Sequence, residues 1–133
     1  MKTSELLNAL QNNNIDDIID IIPDINFTEY LEALLSQSGL KKAEIIKKAN
    51  LHREYGYQIF KGIRTPDKDK IICISLAMHL SVEETNHLLS LSNNGSLYAK
   101  VARDAIVIYC LNNKLDVMAT NEMLLNLNFK ALE

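Results

Sequence analysis

Residues 40–64, LKKAEIIKKANLHREYGYQIFKGIR, constrain the fold of this chain most. Ile45, Ala49, Leu51 and Ile59 are spaced so that two short helices, roughly 41–49 and 52–61, bury them across a turn of three or four residues. Asn50 falls in that turn, where a positive φ is wanted and Asn is the commonest replacement for Gly. Arg53, Glu54, Tyr55, Tyr57, Gln58 and Lys61, which lie between the buried positions, then face outward. The same stretch is a basic island. Residues 41–70 hold nine Lys/Arg against four Asp/Glu (+5), whereas residues 1–40 stand at −6 and residues 71–133 at −2, in a chain of net charge −3. Positive charge concentrated on a helical pair points to a phosphate-bearing partner.

The flanking sequence extends the helical pattern in both directions. Two Pro and four Gly in 133 residues leave few breaks, and no strand candidate stands apart from residues 105–111 (AIVIYCL), whose flanks are helical. An all-α protein with one cooperative core is expected. Short helices are predicted over 4–11 and 15–22, the second on the stripe Ile15, Ile18, Ile19 and Ile22, ending at Pro23. Asn26 with Glu29 reads as a capping box, and Gly39 as a left-handed C-terminal cap. Thr65-Pro66-Asp67 is a break and new N-cap before a strongly buried helix carrying Ile71, Ile72, Ile74, Leu76, Ala77 and Leu80. Ser81 with Glu84 forms a second capping box, and Asn93-Asn94-Gly95 a turn. A long helix is predicted from near Ser96 through Leu111, and a last one over about 117–127. No internal repeat is read from the sequence.

Several functional classes find no footing. No apolar run nears the roughly 18 residues that span a bilayer, and MKTSELLNAL lacks the build of a signal peptide, so a cytoplasmic protein is expected. Cys73 and Cys110 read as buried, reduced thiols. His79 and His87 fall on different elements without a metal-ligand pattern, and no metal or other cofactor is expected. Glu83 and Glu84 are explained by the first turn of a helix, and Asp16, Asp17 and Asp20 by a solvated face. With no nucleophile triad, phosphate loop or nucleotide fingerprint, an enzyme is not expected.

Residues 27–91 resemble the lambda-repressor-like, or XRE-type, helix-turn-helix domain, a bundle of five short helices. The resemblance rests on the Gly39-Leu40 entry, the helix LKKAEIIKKAN, the turn at Asn50-Leu51, the helix ending at Lys61-Gly62, the Thr65-Pro66 break and the closing MHLSVEETNHLL. It implies a domain over 26–93, an N-terminal helical extension over 1–25, and a C-terminal one over 94–133 that either packs on the same core or forms a dimer seam. It further implies that Lys42 touches DNA at the start of the first basic helix. His52, Arg53, Glu54 and Tyr55 would lie in the reading turn, Tyr57 and Gln58 would continue that face, and Lys61 and Arg64 would contact backbone. The sequence departs from the family at Ile46 (usually Ala), Gly56 (usually Ile or Val), Phe60 (usually Glu) and Lys41 (an N-cap favouring Ser or Thr). Ile46 and Gly56 are expected to compensate, a large side chain over a missing one.

Arg53 is the candidate for a bidentate guanine contact, while Glu54 can accept from cytosine N4. The implied function is a sequence-specific transcriptional regulator that binds the major groove of double-stranded DNA as a homodimer on half-sites about one turn apart. The alternative is an adaptor or antitoxin-like module on the same fold that has lost DNA binding and recruits a protein partner. The acidic overall charge and Glu54 favour it.

Overall fold

The computed structural model describes residues 25–133. The helices expected over 4–11 and 15–22 lie outside the described residues. Among those described are seven helices and no strand: α1 (Phe27–Ser38), α2 (Lys42–Lys48), α3 (Arg53–Phe60), α4 (Lys68–Ala77), α5 (Val82–Leu91), α6 (Ala102–Asn112) and α7 (Val117–Asn126). The all-α class holds.

Helix starts and stops follow side-chain chemistry. Asn26 and Ser81 each accept from the N–H three residues on, and Glu29 and Glu84 return the bond, so both capping boxes are present. Asp67 and Asp116 cap α4 and α7 by accepting from the N–H three residues on, without a returning bond. Gly39 ends α1 at φ 71°. The turn after α2 is a Schellman motif: Asn50 sits at φ 59°, and the Leu51 N–H donates to the Ile46 carbonyl at 3.1 Å.

The same motif joins the helices of two further hairpins. His79 (φ 54°) and Lys114 (φ 55°) take the place of Asn50, with Leu80 N–H donating to the Ser75 carbonyl and Leu115 N–H to that of Cys110, each at 3.0 Å. The described fold is therefore α1 followed by three helical hairpins, α2–α3, α4–α5 and α6–α7.

The second and third hairpins are copies of one unit, which corrects the expectation of no repeat. At a constant offset of 35 positions Asp69, Ile71, Leu76, Leu80, Val82, Thr85, Asn86, Leu89, Asn93 and Leu97 recur unchanged as Asp104, Ile106, Leu111, Leu115, Val117, Thr120, Asn121, Leu124, Asn128 and Leu132. The structure repeats with them. Thr85 and Thr120 each donate to the carbonyl four residues back at 2.8 Å. Asn86 accepts from Leu97 N–H, and Asn121 from Leu132 N–H, again at 2.8 Å. Leu97 and Leu132 are both buried plugs.

The two copies close on each other reciprocally. Arg103 makes a bidentate pair with Asp69, both N–O distances 3.0 Å, while Lys68 donates to Asp104 at 3.0 Å. Tyr98 N–H donates to Asp104, and the equivalent Glu133 N–H donates to Asp69, at 3.0 and 3.2 Å. Lys68 and Arg103 also hold their own copy's tail through the carbonyls of Ser96 and Ala131. Each group meets the counterpart of the group that meets it, the signature of a twofold-related pair. Helix packing agrees: α4 lies on α6, with α4–α7 and α5–α6 as the related contacts.

One expectation about the tail changes accordingly. Residues 96–101 are not helical, because Leu97 and Tyr98 N–H groups go to Asn86 and Asp104 rather than to a preceding turn. The helix expected to be strongly buried, α4, is so. Every residue of α4 from Ile71 to Ala77 is buried, and α2, α5, α6 and α7 all pack on it. In α6, Tyr109 is 54% exposed. The buried residues of α6 and α7 join those of α1–α5 in one apolar cluster. Cys73 and Cys110 are free and buried, and burial pushes the Cys73 thiol up to about 12 and Cys110 upward as well. No described helix is long and apolar enough to cross a membrane.

Partial burial raises the Asp69 pKa, but hydrogen bonds from Arg103 and from Glu133 N–H outweigh it and hold the carboxyl below its ordinary range. Ionised Asp69 therefore stabilises the fold fully above the unfolded-chain value of about 3.9, and this contribution is lost as pH falls through the lower folded value. D69N is expected to cost roughly 1–3 kcal/mol at pH 7 and to flatten the fall in stability below pH 4, read by urea unfolding across pH. L132A, although one residue from the last, is expected to cost about 2–3 kcal/mol, close to L97A in the other copy.

Candidate nucleic-acid interface

The interface is built on the α2–α3 hairpin. Ile45, Ile46, Ala49, Ile59 and Phe60 are buried between these helices, α1 and α4, which fixes how α3 is presented. Lys41 and His52 occupy the two N-caps, and neither makes a side-chain capping bond. Lys47 and Lys48 sit in the last turn of α2, where the helix dipole favours cations.

Gly56 is required by its neighbour. A Cβ there would lie 2.6 Å from Ile46 Cγ1, inside any tolerable contact. The same two positions in the other hairpins, four before and six after the left-handed residue, hold Ser75 with Thr85 and Cys110 with Thr120. All four are buried. One crossing point is thus filled by a large residue against none, and the others by two small ones.

Six of the nine expected site residues come together. His52, Arg53, Glu54, Tyr57, Gln58 and Lys61 line one shallow concavity of about 540 Å³ on the outer side of α3. Arg53 lies 5.9 Å from the centre of the Tyr57 ring, a cation–π contact that aligns the guanidinium along the helix. Arg64 stands outside the concavity but is tied to it, its Nε donating to Gln58 Oε1 at 3.2 Å.

The remaining two are partly engaged elsewhere. Lys42 is 3.7 Å from Glu32 on α1 and stacks over Phe60, so it is a braced cation at the edge of the face. Tyr55, like Tyr57, is half-buried and packs against the core, but Tyr55 does not line the concavity. Phe60 is also core, which accounts for an apolar residue where Glu is usual.

Ile63, absent from the expected set, lines the concavity and is 66% exposed. Gly62, at φ 78°, turns the chain there, and its α-carbon faces Thr28 of α1, whose Oγ1 would be 2.9 Å from an added Cβ. An isolated apolar residue between Gly62 and Arg64, in a break rather than a helix, was the available signal.

The face offers guanidinium, ammonium, amide and phenol donors with one carboxylate acceptor, on a helix narrow enough for a major groove about 12 Å wide. Among the described residues no group of three His, Cys, Asp or Glu is placed to hold a metal ion. No protein-family model, curated protein or solved structure matches the chain.

G56A should lose stability, roughly 1–3 kcal/mol of overpacking outweighing about 1 kcal/mol of helix propensity. I46A should recover most of that loss when combined with it. A double-mutant cycle in urea reads the coupling, and additive effects would contradict the contact.

Proposed function

We propose that this chain is a DNA-binding transcriptional regulator of the lambda-repressor-like helix-turn-helix kind, with α1–α5 as its five-helix DNA-binding bundle and α3 as its recognition helix. The observation that carries the reading is the convergence of His52, Arg53, Tyr57, Gln58 and Lys61 on the outer side of α3, within the chain's one basic stretch. The Schellman turn at Asn50 and the Ile46–Gly56 contact support it by holding α3 outward from α2. Arg53 and Gln58 would read base edges, while Lys42, Lys61 and Arg64 would neutralise phosphates. As a homodimer the protein would set two α3 helices against half-sites about one helical turn apart.

Selection from random duplexes at two salt concentrations tests this. A motif should emerge at the lower salt, and R53A should relax one position of it by roughly 1–3 kcal/mol. K61A and R64A should weaken binding to all sequences and each lower the salt slope by about one. Absence of both a motif and low-salt binding would overturn the proposal. The second reading, a protein-recruiting module, is favoured by exposed Glu54 in the first turn of α3. It requires a stoichiometric protein partner whose capture is unaffected by R53A and K61A.

A further inference from the structure

Among the described residues, each of α2 to α7 ends in one motif: a residue of positive φ, then one whose N–H donates to the carbonyl five positions back. The residues making this closing bond are Leu51, Ile63, Leu80, Asn94, Leu115 and Phe129. Such a position is commonly apolar because its side chain folds back onto the helix it closes. Leu80 is buried, and Leu51, Leu115 and Phe129 pack on the core. Asn94 is bonded to the Pro66 carbonyl at 3.0 Å. Ile63 alone of the six is left exposed, at 66%. A single exposed Ile is ordinary on a protein surface. This one is set apart by its place in the concavity of α3 and by the backbone that holds it there. Ile63 and Arg64 N–H both donate to the Gln58 carbonyl, at 2.9 and 3.2 Å, and Gly62 sets its α-carbon against Thr28 of α1.

We propose that Gln58 and Ile63 together select an A·T pair, Gln58 reading the adenine edge and Ile63 covering the C5 methyl of a thymine in the same or the next pair. The amide of Gln58 is oriented by Arg64. A guanidinium only donates, so the Nε bond at 3.2 Å turns Gln58 Oε1 toward Arg64. Both Nε2 hydrogens and one oxygen lone pair remain for a base. Adenine offers N7 as acceptor and N6–H as donor and takes both, whereas guanine would set its O6 against Oε1. Thymine is the one base that presents a methyl group in the major groove, the apolar feature an exposed Ile can cover. Because Ile63 hangs from the Gln58 carbonyl, the amide and the apolar side chain are presented as one unit. This inference rests on the DNA reading of α3 and gives it a substrate class: duplexes with an A·T pair under the C-terminal half of that helix.

The test uses the duplex enriched by selection from random sequence, with each thymine replaced in turn by deoxyuridine, which lacks only the C5 methyl. Uracil at one position should weaken binding of the full chain roughly threefold to fivefold, the worth of one buried methyl group. I63A should lose a similar factor on the thymine duplex and bind the uracil duplex as well as the thymine one. A purely structural role for Ile63 would leave the thymine-to-uracil ratio of I63A as it is in the parent chain. Q58A should relax the adenine preference at the same or the adjoining pair by roughly fivefold or more. Salt-sensitive binding to a motif that no uracil weakens would overturn this inference and leave the DNA reading standing. The same holds for an I63A protein that keeps the thymine–uracil difference, or a Q58A protein that keeps the adenine preference. Absence of any motif and of low-salt binding would overturn both.

Discussion

The enclosure of α4 is the constraint on which the rest of the structure depends. A ten-residue helix buried from Ile71 through Ala77 needs partners around its circumference, and α2, α5, α6 and α7 supply them. Its burial ties the basic hairpin to the C-terminal copies, since α2 packs on α4 directly and α3 is held by α2 and α1. Apolar burial of this kind is non-directional, so it does not by itself fix angles or register. Those come from the polar contacts at its N-terminal end, chiefly Asp69 with Arg103 and Lys68 with Asp104.

Three successive hairpins share one turn yet face different demands. In the first, the left-handed position is Asn50, whose side chain tolerates that conformation well; in the others it is His79 and Lys114, which tolerate it less well. Lys114 offsets part of that cost with its bond to the His79 carbonyl, linking one turn to the other. The second and third hairpins pair through reciprocal salt links and buried tails, whereas the first leaves the outer side of α3 to solvent. Among the described residues, the face of α3 that carries exposed cations is therefore one that no other helix covers.

Much of the local structure was legible because short-range chemistry decides it. Asn26 with Glu29, Ser81 with Glu84, Gly39, Asn50 and Asp67 all act where their side chains dictate, and the Ile46–Gly56 exchange is visible as a pair of departures. The repeat was hidden for a physical reason. Six of its ten retained residues are Leu, Ile or Val, which any amphipathic helix shows, while the diagnostic Asp69, Thr85-Asn86 and Asn93 are few and scattered. The apolar run of residues 105–111 hid it further because it shows no clear helical periodicity, and the use of Asp104 as an acceptor for Tyr98 N–H has no periodicity to betray it. Of the candidate site, the spacing of α3 foretold its exposed face. It did not foretell that Tyr55 leans on the core, or that Ile63 emerges beyond Gly62.

The central claim is that the outer side of α3 meets DNA. Titration of a duplex into the 15N-labelled full chain, followed through backbone amide shifts, tests it most directly. The account predicts changes concentrated at residue 42 and over residues 52–64, diminishing as salt is raised. Changes centred on α5 or α7, or none at low salt, would contradict it.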